Sequence, residues 1–408
     1  MKILHFADSH LGVEIFGRPD PATGLSTRLL DFTRALDLIA DVALNERVDL
    51  VVFAGDAYRS REPNPTHQRE FARRILRITQ GGIPVYLLAG NHDISTAAGR
   101  ATSVDIFETL QVPNVTVGRE PRLDVVQTRS GPVQVVGVPW ISRQRLFTRE
   151  DLRRLSSDEQ DQFIVDRITQ FVGDAAQQLK PDAPAVLVAH LTTLGARFGS
   201  ERSITIGNDP VVPISALALR QFSYVALGHI HRHQSMGEDP PVVYAGSIER
   251  VDFGEAGEEK GYVMVEITDG RTDWRFRPLP GRSFITIEVK IEESRKSAVT
   301  DDPTSQVLAA ISRQDIHGAV VRVQLELSPA AELQLDYQAI RRALASAHYN
   351  AGVHRRLTGD PRVRIGATNV EELTPLEALD LYLRSRNTPE AHKSALLERA
   401  RQLLGEAR

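Results

Sequence analysis

The sequence predicts an α/β fold. Apolar runs alternate with amphipathic helical patterns in the first part of the chain: the pattern at 26–47 precedes the run VDLVVFA at 48–54. Continuous apolar runs of this kind are typical of strands covered on both faces. Several of these runs end in Asp, Asn or His, and ligands of α/β proteins gather at the carboxyl ends of strands. These observations indicate a sheet with a polar site at one edge.

Composition excludes several classes of protein. The chain has 408 residues, enough for two or three domains, and its hydrophobic fraction of 41% is ordinary for a globular protein. It has no Cys, which excludes disulfides, Cys-ligated zinc and iron–sulfur clusters. The net charge is −4, so any contact with nucleic acid must come from local patches. The start lacks a signal-peptide pattern and no apolar run approaches ~18 residues, so we expect a cytoplasmic protein without a membrane span.

Hydrophobic periodicity places the elements of the first 280 residues. The helix at 26–47 has Leu29 and Leu36 at helical spacing, and Ser26 or Thr27 is its candidate N-cap. The other helices are expected at 65–79 and 157–179. The strands are expected at 3–7, 48–54, 85–89, 115–117, 123–128, 133–138, 185–189, 224–227, 242–244 and 262–267.

A different pattern begins after a boundary near 278–281, where the sequence reads PLPG. The stretch 284–291 alternates as a half-exposed strand does. The rest of this small α+β unit is expected as a helix near 302–313, a strand near 319–327, a helix near 336–347 and a strand near 362–365. The tail from 370 carries two helix starts, at Thr374-Pro375 and Thr388-Pro389. Its two helices either dock on the helices of a partner or pack back on their own domain.

Five of the strands end in the same kind of polar residue. In chain order these residues are Asp8 and His10, Asp56, Asn91-His92-Asp93, His190, and His229 and His231. Residues two apart point to the same side of an extended backbone, so each spaced pair can aim two ligands at one point. A lone strand-end His is more often structural, and a lone Asp is more often a cap or turn residue. The presence of all these residues at strand ends favours a shared ligand-binding site over separate structural roles.

The residue types in this set indicate a pair of metal ions. Two buried carboxylates side by side are costly unless a cation neutralises them. Imidazole together with carboxylate suits Mn, Fe or Zn rather than Ca. Seven ligands are too many for one tetrahedral site but suit two sites that share a carboxylate, and two metals about 3.5–4 Å apart clamp an in-line displacement at phosphorus. His92, outside the ligand set, is placed to stabilise the transition state or protonate the leaving oxygen, and Asp93 is expected to orient it.

The motif series DxH, GD, GNHD, H and GHxH resembles the calcineurin-like metallophosphoesterase superfamily. Within it the chain is similar to the SbcD family, the nuclease subunit of the bacterial SbcC–SbcD DNA repair complex. The finer resemblance depends on the stretches FADSHLG, VVFAGD, LLAGNHD, GSER at 199–202, GHIH at 228–231, and AGSIERVDFGE at 245–255. It is strong over about 1–280 and covers the remainder only in layout.

The resemblance implies a fold, a domain division and a ligand set. The fold is a four-layer αββα sandwich at 1–280, followed by a small α+β capping domain at 281–367 and a helical ATPase-binding segment at 368–408. One metal is implied at Asp8, His10, Asp56 and His231, and the other at Asp56, Asn91, His190 and His229, with Asp56 bridging and His92 catalytic. The metals implied are two Mn²⁺ ions.

The resemblance also implies an activity and partners. The expected enzyme is a Mn-dependent double-strand exonuclease and single-strand and hairpin endonuclease that processes DNA ends. Its partners would be DNA and an SMC-like coiled-coil ATPase, with a homodimer inside a heterotetramer at the nucleoid. The chain has no Gly-Lys dipeptide and so no Walker A loop, which places any ATPase on another chain.

Two other functions compete with the nuclease. A phosphodiesterase or phosphatase acting on a nucleotide or phosphoprotein would use the same metal clamp. A non-catalytic scaffold would show eroded ligands, whereas all seven are present. One position departs from the resemblance: some relatives carry a His three residues after the bridging Asp, where this chain has Arg59. Arg59 is either a phosphate contact or a surface residue.

Overall fold

A computed structural model of the chain describes residues 1–95, 99–148, 150, 154–199, 209–291, 302–358, 374–385 and 388–403. The chain divides into two compact units. The first comprises Met1–Thr286, Asp315–Arg322 and Leu344–Gly352, and the second comprises Ile287–Gln314, Val323–Ala343 and Val353–Arg408. The three-part division predicted from the sequence stays a prediction.

The first unit contains two six-stranded sheets. In spatial order, the first consists of β14 (Arg271–Pro278), β13 (Gly261–Thr268), β1 (Lys2–Phe6), β2 (Leu50–Phe53), β3 (Val85–Leu88) and β4 (Val115–Gly118). The second consists of β11 (Gln234–Glu238), β12 (Pro241–Tyr244), β10 (Tyr224–Gly228), β7 (Ala185–His190), β6 (Gly131–Val138) and β5 (Arg122–Thr128). A short pair, β8 (Thr192–Thr193) and β9 (Val211–Val212), lies apart from them.

Helices cover the outer faces of these sheets and give the four-layer arrangement that was expected. The helices of the first unit are α1 (Thr27–Asn45), α2 (Pro65–Gln80), α3 (Asp105–Thr109), α4 (Arg143–Leu146) and α5 (Ser157–Gln178). Helices α1 and α2 share a core with the outer face of the first sheet, and α5 shares one with the second. A third core fills the space between the sheets.

The continuous apolar runs of the central strands follow from these layers. On β2, Val51 and Phe53 face the helices, whereas Leu50 and Val52 face the other sheet. Successive side chains of a strand point to opposite faces, so a strand covered on both faces needs an apolar residue at every position. The parallel pairing of β1, β2 and β3 brings their carboxyl ends to one edge.

The remaining elements lie beyond residue 280. Strands β15 (Phe284–Lys290), β16 (Val320–Leu327) and β17 (Tyr349–Leu357) form a sheet in that order. The helices are α6 (Pro303–Ser312), α7 (Pro329–Glu332), α8 (Tyr337–Ala343), α9 (Pro375–Ser385) and α10 (Glu390–Leu403). Lys393 of α10 pairs with Asp380 of α9 at 2.9 Å, which joins the two predicted tail helices.

Besides the short pair β8 and β9, three strands were not predicted. Two of them, β11 and β14, are the terminal strands of their sheets, and β17 is the terminal strand of the small one. Their sequences, QSMGE, RTDWRFRP and YNAGVHRRL, are rich in polar residues because one edge and much of their surface are exposed. The strand expected near 362–365 lies outside the described residues. Among the described helices, none has the length and hydropathy required to cross a membrane.

A buried histidine between the sheets makes stability depend on pH. The Nδ1 of His5 lies 3.0 Å from the hydroxyl of Tyr224, and neither side chain is exposed. Burial lowers the pKa of His5 from 6.5 to about 3, so the folded protein keeps the ring neutral in a range where the unfolded chain protonates it.

We therefore predict that His5→Gln weakens the acid sensitivity of the fold. As pH falls from 6.5 towards 3, the unfolded state of the wild type gains this proton before the folded state does. The free energy of unfolding then falls by up to about 1.4 kcal/mol for each pH unit from this group alone. Urea unfolding at about pH 7 and about pH 5 should show a smaller difference for His5→Gln. The exposed His317→Gln is the control, and an equal pH dependence in His5→Gln and wild type would contradict the assignment.

Candidate metal centre

The predicted site residues meet at the carboxyl edge of the two sheets. Strands β1, β2, β3, β7 and β10 end there, and the residues that follow them turn sharply. Four of these residues have backbone φ angles in the left-handed region although none is glycine: Asp8 (52°), His10 (39°), Asp56 (62°) and His229 (96°). Such conformations are costly for residues with side chains, and they cluster at functional sites.

The ligand atoms of the first predicted ion are close together. Single ligand atoms of Asp8, His10 and His231 all lie within 4.8 Å of one another, and all three residues are buried. The Nε2 atoms of His10 and His231 are 2.9 Å apart, and the Nε2 of His10 is 3.6 Å from Asp56 Oδ2. This arrangement brings together the four residues implied for one metal.

The second predicted set shares Asp56 with the first. Asp8, Asp56 and His190 form a further group within 4.8 Å, and His190 Nε2 lies 3.5 Å from Asp56 Oδ2. The Oδ1 of Asn91 is 2.9 Å from His190 Nε2 and 3.1 Å from His229 Nδ1. Asp56 therefore stands between the two sets, where a bridging carboxylate would have to be.

The outer nitrogens of three imidazoles are hydrogen-bonded to acceptors. His190 Nδ1 donates to the carbonyl of Ala54 at 2.7 Å, and His231 Nδ1 donates to Glu255 Oε1 at 2.7 Å. His229 Nε2 donates to Asp209 Oδ2 at 3.1 Å. In a neutral imidazole the other nitrogen then carries a lone pair, and in each case that nitrogen faces the centre.

These inward atoms fit a cation. His190 and His229 direct their inward nitrogens at the oxygen of Asn91, and His231 directs its own at a nitrogen of His10. Two acceptors at such distances repel each other unless a proton or a metal ion lies between them. Carboxylate, amide oxygen and imidazole together are a donor set for Mn, Fe or Zn. The residues present therefore fit two divalent ions.

The turns beside the ligands require glycine at two positions. A side chain on Gly90 would place its first carbon 2.1 Å from Asp56 Oδ1, and one on Gly55 would place it 2.3 Å from His190 Nδ1. Gly55 also has a φ of 101°, which favours glycine. The glycines of the GD and GNHD motifs thus let the Asp56 carboxylate and the His190 imidazole approach the backbone.

Asp93 does not make the contact predicted for it. Its carboxylate accepts hydrogen bonds from the backbone N–H groups of Gly90 at 2.9 Å and Asp56 at 2.8 Å, from Ala57 N–H, and from the Ser103 hydroxyl. The prediction that Asp93 orients the His92 ring is therefore wrong, because backbone donors occupy the carboxylate. Asp93 instead holds the turn of Asp56 against the GNHD turn.

His92 is oriented by a backbone carbonyl. Its Nδ1 donates to the carbonyl of Arg59 at 2.8 Å, and its backbone N–H donates to Asp56 Oδ1 at 2.8 Å. An atom of its ring also falls in a group with His10 and Asp56 within 4.8 Å, and the side chain is half-buried. The structure thus places His92 at the rim of the centre, and its catalytic role stays a prediction.

Two residues of the site were not assigned from the sequence. Asp209 belongs to none of the motifs in the sequence. Glu255 lies in the stretch AGSIERVDFGE, and the sequence predicted no role for its carboxylate. Both act on the ring nitrogen of a ligand that points away from the centre. A carboxylate at that nitrogen fixes the tautomer and the direction of a metal-binding imidazole.

Burial and charge shift the protonation of the centre when no metal is bound. Burial raises the pKa of Asp8 to about 7. Burial, with the charge of Asp56, raises the pKa of Asp93 to about 7 as well. Burial alone would lower the pKa of His190, but the carboxylates of Asp56 and Asp8 outweigh it and raise that pKa to about 9. In the metal-free protein, protons therefore balance the charge of the carboxylates.

Comparison with known proteins identifies the family. The family model described as calcineurin-like phosphoesterase matches residues 1–233, more than half of the chain. The chain therefore belongs to the calcineurin-like phosphoesterases and is a phosphoester hydrolase by family. This confirms the superfamily predicted from the motif series.

Solved structures with a similar arrangement have low identity. A dimetal phosphatase from Danio rerio is 11% identical, with a TM-score of 0.39, and the match covers 68% of this chain and 96% of that one. The protein TT1561 of Thermus thermophilus is 11% identical, with a TM-score of 0.37 and coverages of 67% and 98%. The purple acid phosphatase PPD1 from yellow lupin (Lupinus luteus) seeds is 12% identical, with a TM-score of 0.39 and coverages of 68% and 51%.

We predict that metal binding releases protons near neutral pH. His190, with a pKa of about 9, must lose its proton to bind a metal, and Asp8, with a pKa of about 7, must be ionised. The apparent affinity for Mn²⁺ should therefore rise with pH between about 7 and about 9.

Titration calorimetry in buffers with different ionisation enthalpies measures the number of protons released. At about pH 7, each wild-type molecule should release about one proton or more when its sites are saturated with Mn²⁺. His190→Gln keeps the four residues predicted to hold the other ion, and its proton release for each ion bound should fall, because the group that holds the proton is gone. Metal binding without any proton release at this pH would contradict the prediction.

Proposed function

We propose that this member of the calcineurin-like phosphoesterases is a Mn²⁺-dependent DNA nuclease. It would degrade double-stranded DNA from its ends as an exonuclease and cleave single strands and hairpins as an endonuclease. The observation that carries the proposal is the hydrogen bond from His231 to Glu255. Through it the stretch that resembles the SbcD family is part of the metal centre itself. The proposal thus has support from the site and from the sequence around it.

The chain's own residues divide the work of phosphodiester hydrolysis. Asp8, His10 and His231 would hold one ion, Asn91, His190 and His229 would hold the other, and Asp56 would hold both. When bound, two such ions activate a water and stabilise the charge of the phosphoryl oxygens in an in-line displacement. Imidazole and carboxylate ligands are compatible with Mn²⁺, and the resemblance to the SbcD family favours it.

His92 supports the departure of the leaving oxygen. Its Nδ1 is occupied by the Arg59 carbonyl, so Nε2 is the nitrogen that remains for proton transfer. The side chain is half-buried, and a ring nitrogen lies within 4.8 Å of ligand atoms of His10 and Asp56. A positioned imidazole of this kind contributes about 10²–10⁴-fold to a reaction.

The tail supports a partner ATPase. A reciprocal pair of hydrogen bonds between Thr374 and Glu377 begins α9, and α10 follows at Glu390. Tyr382 and Leu396 are 46% and 49% exposed, so each helix has a large hydrophobic side chain partly at its surface, as helices that bind a partner have. We propose that this segment binds an SMC-like coiled-coil ATPase, in a homodimer within a heterotetramer at the nucleoid.

The nuclease is tested by cleavage with and without His92. With Mn²⁺ and its ATPase, the wild type should degrade linear duplex and hairpin DNA. His92→Gln should bind Mn²⁺ with wild-type stoichiometry but cleave at least about 100-fold more slowly. His229→Gln should lose metal, which separates the two roles.

Two outcomes would contradict this proposal. Turnover of a small phosphodiester such as bis-p-nitrophenyl phosphate without DNA cleavage, with the ATPase present, would favour a phosphatase or phosphodiesterase. Loss of bound metal in His92→Gln would make His92 a ligand.

Deletion of residues 370–408 tests the partner. The shortened chain should still bind Mn²⁺, because every predicted ligand precedes residue 232. It should no longer co-purify with the ATPase, because the two helices that would contact the partner are missing. A matched full-length chain with Arg167→Gln on the exposed face of α5 is the control. Unchanged co-purification of the shortened chain would refute the assignment.

A further inference from the structure

A buried ion pair lies behind the metal ligand His231. Glu255 is 0% exposed and Lys260 is 1% exposed, and Lys260 Nζ lies 3.0 Å from Glu255 Oε2. An ion pair removed from water gains stability only if its remaining donors and acceptors are also satisfied. The partners of both side chains therefore indicate what the pair holds in place.

Each of the three donors of the Lys260 ammonium has a partner. Besides Glu255, its ammonium donates to Glu258 Oε2 at 2.8 Å and to the backbone carbonyl of His231 at 3.0 Å. The other oxygen of Glu255 accepts from His231 Nδ1 at 2.7 Å, and the backbone N–H of Val251 donates to the Glu255 carboxylate at 2.8 Å. The pair thus contacts His231 twice, at the ring and at the main chain.

Gly246 and Ser247, which belong to the same stretch as Glu255, pack against the backbone of His231. The N–H of Ser247 donates to the His231 carbonyl at 3.0 Å, so this oxygen accepts from both Ser247 and Lys260. A side chain on Gly246 would place its first carbon 2.7 Å from that oxygen, and Gly246 has a φ of 78°. The close approach that holds the ligand therefore needs glycine in the GSIE sequence.

We propose that Glu255 and Lys260 are positioning residues for one of the two metal ions. Glu255 fixes the tautomer and direction of the His231 ring, and Lys260 holds both Glu255 and the main chain of His231. The hydrogen bonds described above lead from this pair to His231, Val251 and Glu258, and none of these residues belongs to the set that would hold the other ion. The proposal rests on the metal centre and not on the choice of DNA as substrate.

The test is metal binding rather than activity. Titration calorimetry of the wild-type full chain with Mn²⁺ should resolve two binding events. Glu255→Gln keeps the shape of the side chain but removes its charge, and it should weaken one event about 10- to 100-fold while leaving the other unchanged. Lys260→Met should weaken the same event, because the carboxylate and the His231 carbonyl lose their common donor.

A control variant separates positioning from stability. Asp49 is 3% exposed and accepts from the Lys2 N–H and the Ser130 hydroxyl at 2.7 Å each, at the amino end of β2 and so at the opposite edge of the sheet from the centre. Asp49→Asn should lower the midpoint of thermal unfolding of the metal-free protein without changing either binding event. Thermal unfolding of Glu255→Gln in the absence of metal shows how far that variant loses stability as well.

Three outcomes would overturn the inference. Equal weakening of both events in Glu255→Gln would show a general loss of structure. Unchanged binding in both Glu255→Gln and Lys260→Met would show that the ion pair only stabilises the fold. A wild type that binds no Mn²⁺ would refute the metal centre, whereas two intact binding events without DNA cleavage would refute only the proposed nuclease.

Discussion

The centre depends on one constraint, the burial of two carboxylates beside each other. Asp8 and Asp56 are at most 2% exposed, and unpaired carboxylates are expensive to remove from water. Their environment supplies imidazoles that either carry a proton or accept a metal, as the raised pKa of His190 indicates for the metal-free protein. The fold therefore contains a negative centre that becomes favourable only with added positive charge. The convergence of five strand ends assembles that centre.

The backbone around the centre carries strain that the hydrogen bonds compensate. Asp8 and Asp56 both adopt left-handed conformations, which cost of order 1–3 kcal/mol each when unsupported. The N–H of His229 donates to the Asp8 carboxylate at 3.0 Å, and Asp93 accepts from the N–H of Asp56 at 2.8 Å. The turn at Asp8 is thus hydrogen-bonded to the end of β10, and the turn at Asp56 is hydrogen-bonded to the residues that follow β3. We therefore expect that substitution of one predicted ligand also displaces the ligands next to it. The effect of such a substitution on activity has to be interpreted together with a measurement of metal binding.

Sequence reasoning could predict the elements that bury apolar surface and the side chains that end them. Strand β2 and the ligand Asp56 are of this kind, since an apolar strand followed by GD is visible in the chain. The polar edge strands β11 and β14 could not be predicted in this way, because their stability comes from pairing with β12 and β13. The orientation of the His92 ring could not be predicted either. Its hydrogen-bond partner is the backbone carbonyl of Arg59, and because every residue has such a carbonyl, the sequence does not identify the partner.

Burial separates the histidines predicted as ligands from the proposed acid. His190, His229 and His231 are buried and each donates to a fixed acceptor, which suits rings that must keep one direction while holding a cation. His92 is half-buried at the rim, which suits a ring that must meet a substrate. Sequence spacing alone does not make this distinction, since all four lie at strand ends. It comes from how far each ring is buried in the folded chain.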